Sequence, residues 1–237
     1  MRVEIWSDVI CPWCYIGKRQ FEHALQDFPH RDQVEVVYRA FQLDPSFPKG
    51  ETMDVADMLS GKLGMPRDQA VEMNRQMEQR AAGAGLEYNL EGGRVGNTAD
   101  AHRLVHLAAE HGVQDAFVEA LYKAHFTDRR SVFDHDSLVQ IAEEAGLDAD
   151  VVRETLTTGK YAAEVDTDQR EARDLGANGV PFFVIDRRYG ISGAQPPEAF
   201  TEALTRAWAD ARPKLTTIGD EATACADETC AVPRHGH

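Results

Sequence analysis

The feature that most restricts the fold is a cysteine pair, Cys11 and Cys14, placed where a strand-like segment gives way to a helix-like one. Val3, Ile5 and Ser7 alternate with Glu4 and Trp6, which is the period of a strand. Phe21, Ala24, Leu25 and Phe28 then recur at helical spacing as far as Pro29. Pro12 suits the first turn of that helix because its missing N–H would be unpaired there anyway. Residues 34–43, VEVVYRAFQL, are rich in β-branched and aromatic side chains and stop at the turn signal Asp44-Pro45. Strand, helix and strand in this order are most simply a right-handed βαβ unit whose two strands are parallel neighbours.

From Thr52 to Gly176 the pattern becomes a series of helical segments punctuated by glycine, with few convincing strands. Helices are expected over 53–63, 67–82, 99–111, 114–126, 134–145, 149–158 and 161–175. A turn at Asn178-Gly179, a proline and the apolar run Phe182 to Ile185 then mark a strand, with Tyr189 to Ser192 able to pair with it. Pro197 to Ala211 reads as a last helix. The expected organisation is an α/β chain, βαβ…ββα, split by a large all-helical insertion. Residues 1–48 form the first half, 49–160 the insertion, 161–213 the second half, and 214–237 an unpatterned, flexible tail.

A chain of 237 residues buries roughly 70–75% of its unfolded surface and can build a core without covalent staples. Its net charge of −15 repels phosphate backbones and anionic lipid, so nucleic acid and membrane are not expected partners. Charges at Arg2, Glu4 and Asp8 interrupt any signal-like apolar run, so the sequence reads as cytoplasmic. The four cysteines form two close pairs, Cys11/Cys14 and Cys225/Cys230. In a reducing compartment such pairs are more often catalytic or metal-binding than structural.

A Cys-x-x-Cys at a helix start has a physical logic, since unpaired N–H groups and the macrodipole stabilise a thiolate at the first cysteine. The second cysteine lies one turn on, within reach of a mixed disulfide formed at the first. Cys11 is therefore expected to be the exposed nucleophile and Cys14 the buried resolving thiol. Pro12 and Trp13, between them, bring no cation.

The segment Ser7-Asp8-Val9-Ile10-Cys11-Pro12-Trp13-Cys14-Tyr15-Ile16-Gly17 resembles the active-site segment of the DsbA family, in its FrnE-like branch. Asn97-Thr98 with Ala101-His102, Gly179-Val180-Pro181-Phe182-Phe183 and Ile191-Ser192-Gly193-Ala194-Gln195 match in order, so the resemblance spans residues 1–212. It implies a thioredoxin fold, a protein dithiol-disulfide oxidoreductase, and a cis peptide bond before Pro181 facing the cysteines. It also implies that Val180 and Pro181 offer backbone to a substrate chain by strand addition. Pro12, Trp13 and His102 join them as candidate substrate contacts. FrnE-like proteins carry a second C-x4-C redox pair at the position of Cys225 and Cys230, which could act as a dithiol relay.

Other readings stand beside these. Kappa-class glutathione transferases and hydroxychromene-carboxylate isomerases share the architecture but usually have serine where this chain has Cys11, which leaves glutathione open as a thiol partner. Four cysteines could instead form a zinc or redox-sensing module, although Pro-Trp at a helix start is poor zinc-knuckle chemistry. His102, His106 and Glu110 share one helix face, but the apolar stripe beside them favours packing over metal ligation. No metal and no resident cofactor are expected. Asp8 is either a proton acceptor for Cys14 or a turn and capping acid.

Overall fold

The computed structural model describes residues 1–211. A four-stranded sheet is ordered β2-β1-β5-β6, from β1 (Arg2–Ser7), β2 (Glu35–Ala40), β5 (Phe182–Ile185) and β6 (Tyr189–Ser192). β1 runs parallel to β2, with Ile5 opposite Tyr38, and antiparallel to β5, with Ile5 also opposite Phe183. The first connection is α1 (Pro12–Gln26), and the last element is α9 (Pro197–Asp210). This is the expected βαβ…ββα arrangement.

β1 is the central strand, and that changes its pattern. Instead of one wet and one dry face, Val3 to Ser7 are all buried, Trp6 and Glu4 included. On one face Phe21 of α1, Phe183 of β5 and Phe200 of α9 form an aromatic cluster with centroids 4.7–5.7 Å apart. The other face packs Trp6, Phe182 and Val184 against Ala172 of α8 (Ala162–Asp174), and Trp6 Nε1 donates to the Asp168 carbonyl at 2.9 Å. Burying Glu4 requires charge partners. Arg39 on β2 and Arg187 after β5 both donate to its carboxylate, holding it below the usual carboxylate range despite burial, which acts in the opposite sense.

The insertion holds α2 (Val55–Leu63), α3 (Arg67–Gly83), α4 (Ala99–Glu110), α5 (Gln114–Tyr122), α6 (His135–Glu144) and α7 (Ala149–Thr158). Local chemistry sets their ends. Asp54, Asp134 and Asp148 accept first-turn N–H groups of α2, α6 and α7, and Gly64 and Gly159 close α2 and α7 in the left-handed region, at φ 65° and 75°.

The insertion is not wholly helical, however. β3 (Thr52–Asp54) and β4 (Arg94–Gly96) pair antiparallel, with Met53 opposite Val95. At three residues each, they show no period for a sequence reading to detect. The expected helix over 114–126 also ends early. After Tyr122 the chain makes a π-helical turn, Lys123–Thr127, a distortion common near functional sites.

Candidate active site

Both cysteines sit where the sheet delivers them, at the carboxyl end of the central strand. Cys11 is the N-cap of α1, Pro12 occupies its first turn, and the Cys11 N–H donates to the Asp8 carbonyl at 3.1 Å. The Val180–Pro181 peptide is cis, and the Val180 carbonyl lies 3.5 Å from Cys11 Sγ, within reach of the thiol as a donor. Pro181 packs directly on α1. A Cβ added to Gly17 would come within 2.8 Å of Pro181 Cγ, so glycine is required for this approach.

The expected contrast in exposure is corrected by the structure. Cys11 is 5% and Cys14 2% exposed, so both thiols are buried, whereas Trp13, between them in sequence, is 37% exposed. Burial pushes the Cys14 thiol well up, and its hydrogen bond and charge interaction with Cys11 add to this. Cys14 is thus held as a neutral thiol.

Behind Cys14 lies a polar pocket centred on Asp8, which has no solvent exposure. Asp8 Oδ2 accepts the Leu43 N–H at 2.7 Å, and Oδ1 lies 3.3 Å from His102 Nε2. His102 is itself 2% exposed, so the expectation that it lines the substrate groove is corrected. The apolar stripe of α4 turns it inward, where it meets Asp8 rather than substrate. His106 approaches Asp168 at 2.9 Å and Glu110 pairs with Tyr161 and Lys160, so the three residues of that helix face serve three separate sites.

Several residues that shape the site escaped the sequence reading. Tyr88 donates its hydroxyl to the Pro12 carbonyl at 2.7 Å, pinning the turn that carries the cysteines. Its ring stacks on Tyr15 and on Phe126, and Tyr122 stacks on Tyr15 at 5.0 Å. The insertion thereby buttresses the start of α1. Arg80 of α3 lies 5.4 Å from the Trp13 ring centroid, a cation that the motif itself does not contain. No spacing rule finds these partners, because they lie some seventy to a hundred residues from the motif in sequence.

His125, on the π-helical turn, is partly buried against Phe126 and Phe133. Burial lowers its imidazole to about 4, while the charge of Asp8 pulls the other way. A histidine that resists protonation when folded makes stability depend on pH. Its contribution is complete above the unfolded value near 6.5, falls as pH drops toward 4, and levels off below. We expect up to about 3 kcal/mol to be lost over that interval, and His125→Gln to flatten this part of the profile. Urea midpoints measured from pH 7 to pH 4 check this, and superimposable profiles for the two proteins would contradict it.

Comparison with known proteins agrees with this geometry. Residues 2–205 match the DSBA-like thioredoxin domain family. A probable DsbA oxidoreductase from Streptomyces coelicolor is 52% identical, with a TM-score of 0.86 over 98% of this chain and 99% of that one. YwbO of Bacillus subtilis, an uncharacterized protein, is 27% identical over 86% of this chain and 96% of its own length. The cytosolic disulfide reductase DsbM of Pseudomonas aeruginosa, solved with GSH, shares the fold at 18% identity and a TM-score of 0.58, over 88% of this chain and 99% of that one. With this fold and a match over most of its length, the chain belongs to the DSBA-like thioredoxin domain family.

Proposed function

We propose that the protein is a dithiol-disulfide oxidoreductase of the FrnE-like kind, acting in the cytoplasm on thiol or disulfide groups of proteins through Cys11 and Cys14. The observation that carries this reading is the placement of both sulfurs at the start of α1, with the Val180 carbonyl 3.5 Å from Cys11 Sγ. In the reducing direction the Cys11 thiolate attacks one sulfur of a substrate disulfide. An S–S bond forms, the substrate bond breaks, and one substrate thiolate leaves. Cys14, deprotonated, then attacks Cys11 Sγ and releases the second substrate thiol, leaving Cys11 and Cys14 joined as the disulfide. Two electrons have passed to the substrate, and the reverse sequence oxidises a substrate dithiol.

Because Cys14 begins protonated, resolution needs an acceptor for its proton. Asp8 serves as that acceptor, with His102 sharing the charge at 3.3 Å. The Val180 backbone receives the substrate chain as an added strand beside Pro181, and Pro12 and Trp13 form the opposite wall. Glutathione is the thiol partner that resets the pair, and no resident cofactor is required. Cys225 and Cys230, assigned from the sequence as a second redox pair, lie outside the described residues.

The test is turnover. In a glutathione buffer the full-length protein should catalyse disulfide exchange in an unfolded polypeptide, and its reduced form should hold no stoichiometric zinc. Folded protein without such catalysis, or with bound zinc that silences the thiols, would overturn the proposal.

A further inference from the structure

The loop between α3 and β4, residues 84–93, is strapped to the π-helical turn Lys123–Thr127. A helix leaves its last carbonyls without an intrahelical partner, and here the loop supplies the donors. The Asn89 N–H donates to the Phe126 carbonyl and Asn89 Nδ2 to the Thr127 carbonyl, each at 2.7 Å. In return Thr127 Oγ1 donates to the Glu87 carbonyl at 2.6 Å. On the other side the Leu90 N–H donates to Glu78 Oε1 of α3 at 2.7 Å. Residues 87–90 are therefore clamped between α3 and the π-helical turn, and Tyr88 lies inside the clamp.

From there Tyr88 reaches the redox turn. Its hydroxyl donates to the Pro12 carbonyl at 2.7 Å, and its buried ring stacks on Phe126 at 4.7 Å and on Tyr15 at 6.0 Å. Burial pushes the phenol well above the ordinary tyrosine range, and the charges of Cys11, Tyr15 and Cys14 add to this. The hydroxyl thus keeps its proton and stays a donor. Its acceptor lies between the two sulfurs along the chain. The backbone that joins them runs through Pro12 and Trp13, and the Cys14 N–H returns to the Cys11 carbonyl at 2.9 Å. Attack by Cys11 on an incoming disulfide asks nothing of this segment. Attack by Cys14 on Cys11 closes a ring through it, so its rate depends on how that segment is held.

We propose that Tyr88 is a positioning residue for the resolving step, its hydrogen bond to the Pro12 carbonyl holding the turn so that Cys14 reaches Cys11 Sγ in a mixed disulfide. This rests on the redox reading above and deepens it, by giving the insertion control of the second step. With oxidised glutathione as the oxidant, the Cys11 thiolate bonds one glutathione sulfur and the other glutathione leaves as thiolate. Cys14 then gives its proton to Asp8, attacks Cys11 Sγ and releases the second glutathione thiolate, so that two electrons leave the protein. Tyr88 forms no bond in either step and acts through the turn.

The experiment follows both steps in the full-length protein carrying C225S and C230S, with and without Y88F, which removes the hydroxyl and keeps the ring. Reduced protein is mixed with excess oxidised glutathione, quenched in acid and weighed, giving the rates of adduct formation and of ring closure. Y88F is expected to slow ring closure about tenfold, equivalent to about 1.4 kcal/mol, a loss of the size that one hydrogen bond accounts for. A glutathione adduct at Cys11 then accumulates. Adduct formation, read separately in the Cys14→Ser background, should stay within about twofold, and the melting temperature should hold to within a few degrees. Asn89→Ala, which loosens the clamp without touching the turn, should slow closure by a smaller factor, and where Y88F does not fold it decides the question by the same criteria. Unchanged ring closure, or equal slowing of both steps, would overturn the positioning role while leaving the redox reading intact. A protein with Tyr88 in place that never closes the Cys11–Cys14 disulfide would instead sink the redox reading.

Discussion

Cys11→Ser is expected to reduce thiol-disulfide exchange to the uncatalysed level, whereas Cys14→Ser is expected to accumulate substrate as a stable mixed disulfide at Cys11. The asymmetry follows from where the sulfurs sit. Cys11 sits at the N-cap position of α1, with its sulfur facing the Val180 carbonyl of the loop that receives substrate in this account. Cys14 is fully enclosed, and burial drives its thiol well above the ordinary range. A thiol held protonated is a poor first attacker but a competent resolving group once its proton has somewhere to go. Removing Cys14 therefore leaves the first step and deletes the second. Turnover assays combined with intact mass of the trapped adduct measure both outcomes. Faster alkylation of Cys14 than of Cys11 in the reduced protein would reverse the roles.

The second large effect is expected at Lys18, one turn beyond Cys14. Its side chain is 2% exposed, an unusual place for a lysine, and it is tolerated because three carboxylates surround the ammonium. Asp115 Oδ1 lies at 3.2 Å, Glu119 Oε2 at 2.9 Å, and Glu22 also pairs with it. Burial alone would lower the Lys18 pKa, but these partners raise it instead. Arg19 and the Tyr15 hydroxyl, each 2.6 Å from Glu119 Oε1, complete a network that ties α1 to α5.

Lys18→Met removes the central cation and leaves the carboxylates facing one another. Breaking a buried pair from one side costs about 3–5 kcal/mol, and the partial exposure of Glu22, Asp115 and Glu119 favours the lower figure. The loss should also depend on pH. Burial raises the Glu119 carboxyl, but Tyr15, Lys18 and Arg19 together bring it below the usual range. A carboxylate lowered on folding contributes stability above its unfolded value, and that contribution disappears as pH falls through the folded value. The gap between wild type and Lys18→Met should therefore narrow below about pH 4. Chemical denaturation at pH 7 and pH 3.5 measures it. A loss under about 1 kcal/mol at pH 7 would show that the network is as weak as an exposed ion pair.

How much of this could be read from the sequence depends on the range of the interaction. The turn from β1 into α1, Pro12 in the first turn, and the strand after Pro181 are local signals, and the family resemblance of Gly179-Val180-Pro181-Phe182-Phe183 supplied the facing loop. Asp8 was legible as an acid three residues before Cys11, although its burial was not. Central placement hid the behaviour of β1, because alternation of Glu4 and Trp6 with Val3 and Ile5 suggests one wet face, and only the sheet order shows both faces covered. His102 was legible as a site residue but not its direction, since a flank histidine on an amphipathic helix turns inward only when it finds a partner such as Asp8. Tyr88, Tyr122, His125 and Arg80 were not legible at all, because each is brought to the site by packing of the insertion rather than by spacing from the motif.

The central claim, that Cys11 and Cys14 form a reversible dithiol-disulfide centre, is tested most directly by equilibrating the protein with buffers of defined glutathione ratio and trapping the thiols. Serine at positions 225 and 230 keeps the other pair from contributing. The account predicts a single two-electron transition in which both Cys11 and Cys14 thiols disappear together and a linked peptide joins them. Thiols that stay reduced in every buffer, or Cys11 ending only as a glutathione adduct while Cys14 remains free, would contradict it.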